Sequence, residues 1–183
     1  MNINIYSITA AILLTVYMSP AASEYFIGVD YSAFNTSMKN NSIDTGFYES
    51  QQRIRVGYRG QWSGFEVDYL SGQDDTNASG SLTYSAGPAL GAYWYLHEDW
   101  VYGKLGVLVT DSTLKNNASG VSNDHTLVQF SAAIGVQFEL TKHVYINADY
   151  TYSYGDGEYR DVLGTDDPTI TTHALAAGLT LGF

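Results

Sequence analysis

Arg53-Ile54-Arg55-Val56-Gly57-Tyr58-Arg59 carries three guanidinium groups, and Phe65-Glu66-Val67-Asp68-Tyr69 carries two carboxylates a few residues later. Both stretches alternate with period two, which puts the charges on one face of a strand pair. Ile54, Val56, Tyr58, Phe65, Val67 and Tyr69 fall on the opposite face. Ser63-Gly64 lies between the halves, so the pair reads as a hairpin with a short turn. Guanidinium groups set against carboxylates in this way have two uses. They cross-link into a buried polar plug, or they line a path for ions.

The remaining residues with catalytic or ligating capacity are dispersed. His97 and His143 fall in predicted short turns, His125 in a loop beside Asp124 and Thr126, and His173 at the start of the final strand. They read as turn or interfacial histidines, and the protein is not expected to be an enzyme. Cysteine is absent, which removes thiolate chemistry and any disulfide framework. Asp74-Asp75 and the stretch from Asp156-Gly157-Glu158 to Asp166-Asp167 offer the oxygens that calcium takes, but match no twelve-residue calcium loop. They read as solvated acidic loops with no metal or cofactor, capable of weak divalent bridging to anionic lipopolysaccharide. A net charge of −11 argues against a nucleic-acid partner, whose phosphates need a basic surface.

Strands must position these residues. Sixteen tyrosines and eighteen glycines against three prolines favour strands and turns. Residues 1–23 read as a signal peptide: Ile8 to Val16 is apolar but too short to span a bilayer, and Ala21 and Ser23 permit cleavage before Glu24. The domain is then 24–183. No later stretch approaches the ~20 apolar residues of a transmembrane helix. Period-two segments recur at Tyr25–Ala33, the opening hairpin, Leu82–Trp94, Val101–Val109, Val128–Leu140, Val144–Tyr152 and Leu175–Phe183. Leu82, Tyr84, Ala86, Pro88, Leu90, Ala92 and Trp94 share one face in that reading, with a bulge or irregularity expected at Pro88 because proline removes a ladder donor. These are eight strands of about ten residues, the length that crosses a bilayer at a steep tilt. The connections alternate between long (35–50, 72–80, 111–125, 155–168) and short.

Two features favour an antiparallel up-and-down transmembrane barrel over a soluble, lipocalin-like one. Trp62, Trp94 and Trp100 all lie beside short turns, where an interfacial aromatic belt belongs. The polar faces carry Asp30, Glu66, Asp68, Glu139 and Asp149 against Arg53, Arg55, Arg59 and Lys104, close to charge balance. A confined lumen needs that balance, because buried charges must be paired. An eight-stranded barrel is just wide enough for its side chains to fill, so the set reads as a plug.

With Val56-Gly57-Tyr58-Arg59, Phe65-Glu66-Val67-Asp68-Tyr69, Tyr102-Gly103-Lys104-Leu105-Gly106-Val107 and Gly178-Leu179-Thr180-Leu181-Gly182-Phe183 in view, the chain resembles the eight-stranded outer-membrane β-barrel proteins of opacity and OmpA type. The resemblance implies a monomer in the outer membrane of a Gram-negative bacterium, in contact with its lipid and lipopolysaccharide. It implies that Leu179, Leu181 and Phe183 form the signal read by the barrel-assembly machinery. It also implies a structural or adhesin-like role carried by four outer loops, with a host or cell-surface ligand, and a small passive pore as the alternative. The His-x-Ser arrangement of the lipid A deacylases is absent, so enzymatic action on outer-leaflet lipid is the least favoured expectation.

Overall fold

The computed structural model describes residues 24–164 and 166–183, so the expected signal segment lies outside the described residues. Nine strand segments follow one another: β1 (Glu24–Lys39), β2 (Asp44–Arg59), β3 (Ser63–Leu70), β4 (Gln73–Thr76), β5 (Leu82–Glu98), β6 (Val101–Asn116), β7 (Ser122–Thr141), β8 (Val144–Asp156) and β9 (Thr169–Gly182). One short helix, α1 (Arg160–Leu163), sits in the last connection. All ladders are antiparallel, and β9 pairs with β1 from Phe26–Gly182 to Lys39–Thr169. Short β3 and β4 both pair with β5 and share one place in the ring. They are interrupted at Ser71-Gly72, where a Cβ on Gly72 would meet the Ala86 carbonyl oxygen at 2.5 Å. The result is a closed barrel of eight strand positions, which leaves no edge for another chain to extend.

The short turns gather at one end, here the lower end, and the longer connections at the upper end. Over the lower and middle parts the outward residues are apolar: Tyr25, Ile27, Val29 and Tyr31 on β1, and Leu175, Leu179 and Leu181 on β9, are all exposed. Nine strand residues at about 3.3 Å rise and about 40° tilt give a band about 23 Å tall, the height of a transmembrane barrel's apolar belt. Trp62, Trp94 and Trp100 are exposed near its lower edge, with Trp100 stacked on Phe138 at 6.1 Å.

Above the band the sidedness reverses. Outward positions become Asn35, Ser37 and Lys39 on β1 and Asp111, Thr113 and Lys115 on β6. Thr113 and Thr126 donate across the β6–β7 ladder to Asp124 and Asp111 at 2.7 and 2.9 Å. Inward positions become apolar, with Met38, Phe47, Leu82, Tyr84, Leu114, Leu127 and Ile170 buried in one cluster. A strand outside the bilayer has no lipid face, so its apolar residues turn into the barrel as they would in water.

This reversal corrects two expectations. Most of 35–50 and 111–125 is strand, joined by turns at 40–43 and 117–121, and part of 72–80 is β4. Their outward residues are polar and their inward residues mixed, so they carry no clear alternation to read. Leu82, Tyr84 and Ala86 do not share a face with Leu90, Ala92 and Trp94. The β5–β6 register shifts between Ala86 and Ala89, beside Pro88, so the first three point inward and the latter three outward. The irregularity expected at Pro88 is present, and it is the device that switches sidedness within β5.

The band places the three tryptophans at one interface. Brominated lipids labelled near the headgroup should quench their fluorescence more than lipids labelled at the chain end. Stronger quenching by the deep label would contradict the placement.

Candidate functional site

The charged hairpin closes on residues from across the barrel. Arg53 Nη2 lies 2.6 Å from Asp149 Oδ2 on β8 and 2.8 Å from Asp30 Oδ2 on β1. Arg55 Nη1 donates to Glu66 Oε2 at 3.1 Å, and its Nη2 donates to Thr180 Oγ1 at 2.7 Å. Lys104 on β6 reaches Glu66 Oε1 at 2.6 Å and Asp149 Oδ2 at 3.4 Å. Tyr102 and Asn147 complete the shell, donating at 2.9 Å to Asp149 Oδ2 and Asp30 Oδ1 respectively. Asp68 sits 3.7 Å from Arg53 Nη1, and neither of its oxygens receives a hydrogen bond. These seven charged residues are all buried.

Small inward residues make room for the network. A Cβ on Gly178 would lie 2.0 Å from Asp30 Oδ1, and one on Gly135 would lie 2.4 Å from the Tyr102 ring. Either side chain would collide with a member of the network, so the lumen alternates glycine with large polar groups.

Of the nine residues expected in the lumen, Asp30, Arg53, Arg55, Glu66, Asp68, Lys104 and Asp149 come together. Arg59 is inward but lower. It lies 3.6 Å from Glu24 and stacks on Phe26, Tyr95 and Tyr145 at 5.2 to 5.6 Å, forming an aromatic floor. Glu139 is exposed beside a ladder irregularity at the lower rim, outside the network. Its parity matches the lumen face, but the strand has by then left the barrel interior. Tyr102 and Asn147 were legible by parity with Lys104 and Asp149, as were Tyr93 and Tyr95 by parity with Gly91, whereas the register shift on β5 hid the inward turn of Leu82, Tyr84 and Ala86.

The upper mouth is closed by the last connection. Tyr159 and Val162 pack into the apolar cluster, and Tyr159 Oη shares a short hydrogen bond with Ser112 Oγ. Burial pushes the Tyr159 phenol up to about 12. Below the cap lies Glu49, buried, with Oε2 accepting from Gln51 at 3.1 Å and Oε1 without a partner. Nothing in the local sequence marked Glu49 as inward, because its strand was read as loop.

The histidines are not drawn together. His97 Nε2 meets the Gly60 carbonyl at 2.8 Å, His125 Nδ1 lies 3.9 Å from Glu158, and His173 Nδ1 bonds the Tyr150 phenol on the outer face. Among the described residues no group of three or more metal-ligating side chains gathers. Among the described residues the arrangement offers a buried, ion-paired interior.

A family model described as the outer membrane protein beta-barrel domain matches residues 8–183. The chain belongs to the outer-membrane β-barrel family. Among family folds, neisserial surface protein A superposes with a TM-score of 0.60 at 19% identity, covering 87% of this chain and 97% of that one. Ail, the attachment invasion locus protein of Yersinia pestis, in complex with the heparin analogue sucrose octasulfate, gives 0.53 at 16%, covering 88% and 100%. OprG of Pseudomonas aeruginosa gives 0.51 at 13%, covering 88% and 96%. At these identities the likeness is one of fold. Comparison with curated proteins gives no match. In outer-membrane barrels the short turns face the periplasm and the longer connections face outward.

Two predictions follow from the two halves of the interior. Stranding a buried charge costs about 3–5 kcal/mol. Arg55→Met and Glu66→Gln should each lower stability in lipid vesicles by that amount in urea unfolding, and the double variant by clearly less than their sum. Additive or neutral effects would mean that the charges are solvated. For the cap, Tyr159→Ala removes a buried ring at a cost of about 3–5 kcal/mol and should open the loop to trypsin at Arg160. A phenol raised above its ordinary value near 10 stabilises the cap fully below about pH 10 and ceases to as pH passes 12. Wild-type protection should therefore fail over that window, and Tyr159→Phe should keep it.

Proposed function

We propose that this protein displays a surface-interaction crown, adhesin-like in kind, on a closed barrel, and that it is neither a pore nor an enzyme. One observation carries the reading: the lumen is occupied along its length by the Arg59 floor, the ion-pair network and the apolar cap. Nothing then remains for the interior to transport, and the residues offered to the exterior are those of the hairpins and α1. Export by the segment 1–23, and assembly through recognition of Leu179, Leu181 and Phe183 by the barrel-assembly machinery, belong to the same proposal. The outward exposure of Leu179 and Leu181 on β9 and of Phe183 just beyond it supports the latter.

The crown is acidic. Asp44, Asp74, Asp75, Asp111, Asp124, Asp156, Glu158, Asp161, Asp166 and Asp167 stand against Lys39, Lys115 and Arg160. A polysulfated ligand of the kind bound by Ail is disfavoured by that charge, and contact with lipopolysaccharide would run through divalent cations. The test is display of the chain on a non-adherent Gram-negative host, followed by retention on epithelial cells. Replacing turns 40–43 and 117–121 with Gly-Ser turns should abolish the retention while the barrel still shows heat-modifiable migration. Retention no greater than that of cells lacking the protein would overturn the reading.

A further inference from the structure

The crown contains a built depression. A cleft of about 380 Å³ opens above the apolar cap, lined by the β1–β2 tip, the β4–β5 turn, the end of β6 and α1. This volume falls within the range of small-ligand sites. Its walls are hydroxyls and amides from Ser42, Thr45, Asn77, Ser79, Ser81 and Asn116, and Ile43, Leu82, Val162 and Leu163 add apolar surface.

The polar wall is held in place. Asn77 is buried, donates to Thr45 Oγ1 at 3.1 Å and Ser81 Oγ at 3.2 Å, and accepts from the Leu82 amide at 3.1 Å. Thr45 Oγ1, which accepts from Asn77, keeps its own proton to donate, whereas Ser81 Oγ bonds Ser79 Oγ at 2.7 Å and Ser79 Oγ donates to Asn77 Oδ1 at 3.2 Å. Asn116 spends its Oδ1 on the amides of Ala118 and Ser119 at 3.0 and 3.2 Å, which leaves its Nδ2 as a donor. Among the described residues no cationic side chain lines the cleft, and the lining carboxylate of Asp44 is 3.3 Å from Lys39.

We infer that this cleft binds a neutral sugar residue at the end of a glycan. A pyranose ring presents hydroxyls that both donate and accept around its rim and a C–H face that lies on aliphatic side chains. The cleft supplies both kinds of contact. The surrounding acid disfavours sulfated, phosphorylated or sialylated termini, since leaving an anion unpaired beside carboxylates is unfavourable, and Lys39 beside the cleft is paired with Asp44. This inference rests on the surface-interaction reading and names its ligand class.

The test uses the full chain in lipid nanodiscs with a panel of neutral oligosaccharides ending in galactose, glucose, mannose or N-acetylglucosamine. A heparin-type oligosaccharide and an unrelated peptide serve as comparators, and binding is read by saturation-transfer NMR and calorimetry. At least one neutral terminus should bind saturably. Asn116→Ala and the cleft-filling Ser42→Trp should each weaken it at least tenfold, with heat-modifiable migration intact. Binding that neither variant changes, preference for the sulfated or peptide probe, or no binding by any neutral sugar would overturn the inference. In each of those cases, continued crown-dependent retention on cells would leave the surface-interaction reading standing, and loss of retention would remove both.

Discussion

A barrel of eight strand positions has an interior that its own side chains fill, and any charge placed there is removed from water. The pairing of Arg53, Arg55 and Lys104 with Asp30, Glu66, Asp68 and Asp149 answers that constraint. Partners are shared: Asp149 serves Arg53, Lys104 and Tyr102, Glu66 serves Arg55 and Lys104, and among the described residues Asp68 faces Arg53 alone. Sharing lets three cations hold four carboxylates on strands from opposite sides of the ring. The network therefore ties the barrel wall across its diameter as well as along its ladders. Gly178 and Gly135 are consequences of the same constraint, because Asp30 and Tyr102 occupy the space their side chains would need.

Each strand also passes through two solvents. Within lipid, the outward face is apolar and the charged groups are inside. Above it, Met38, Phe47, Leu114, Leu127 and Ile170 turn inward and the exterior becomes polar. The protein thus has two interiors of opposite chemistry stacked on one axis. The lower one gains its order from ion pairs and the upper one from apolar burial, at about 1.5–3 kcal/mol for each large side chain. Because Tyr159 and Val162 come from a connection and not from the wall, the cap can loosen without disturbing the lumen network.

The lower half was legible in the sequence, because lipid imposes strict alternation and the lumen imposes charge balance. Arg53, Arg55, Glu66 and Asp68 could be placed by counting in twos. The upper half was not, since Asn35 to Lys39 and Asp111 to Asn116 are polar outside and mixed inside, so they look like loop. Leu82, Tyr84 and Ala86 misled for a different reason: the register shift at Pro88 breaks the parity that joined them to Trp94. Arg59 and Glu139 have the right parity but sit at the rim, and strand parity says nothing about depth. The cleft and the cap needed three-dimensional placement, because their residues come from four separate connections.

The claim on which the rest depends is that the interior is filled from end to end and closed by its central ion-pair network. Single-channel recording of the full chain in planar bilayers tests it most directly. The account predicts no steady conductance for the wild type, and discrete openings only when the network and the cap are both breached, as in Glu66→Gln combined with Tyr159→Ala. Steady ion conduction by the wild type would contradict it, and would make the lumen a pore and the charged residues its lining.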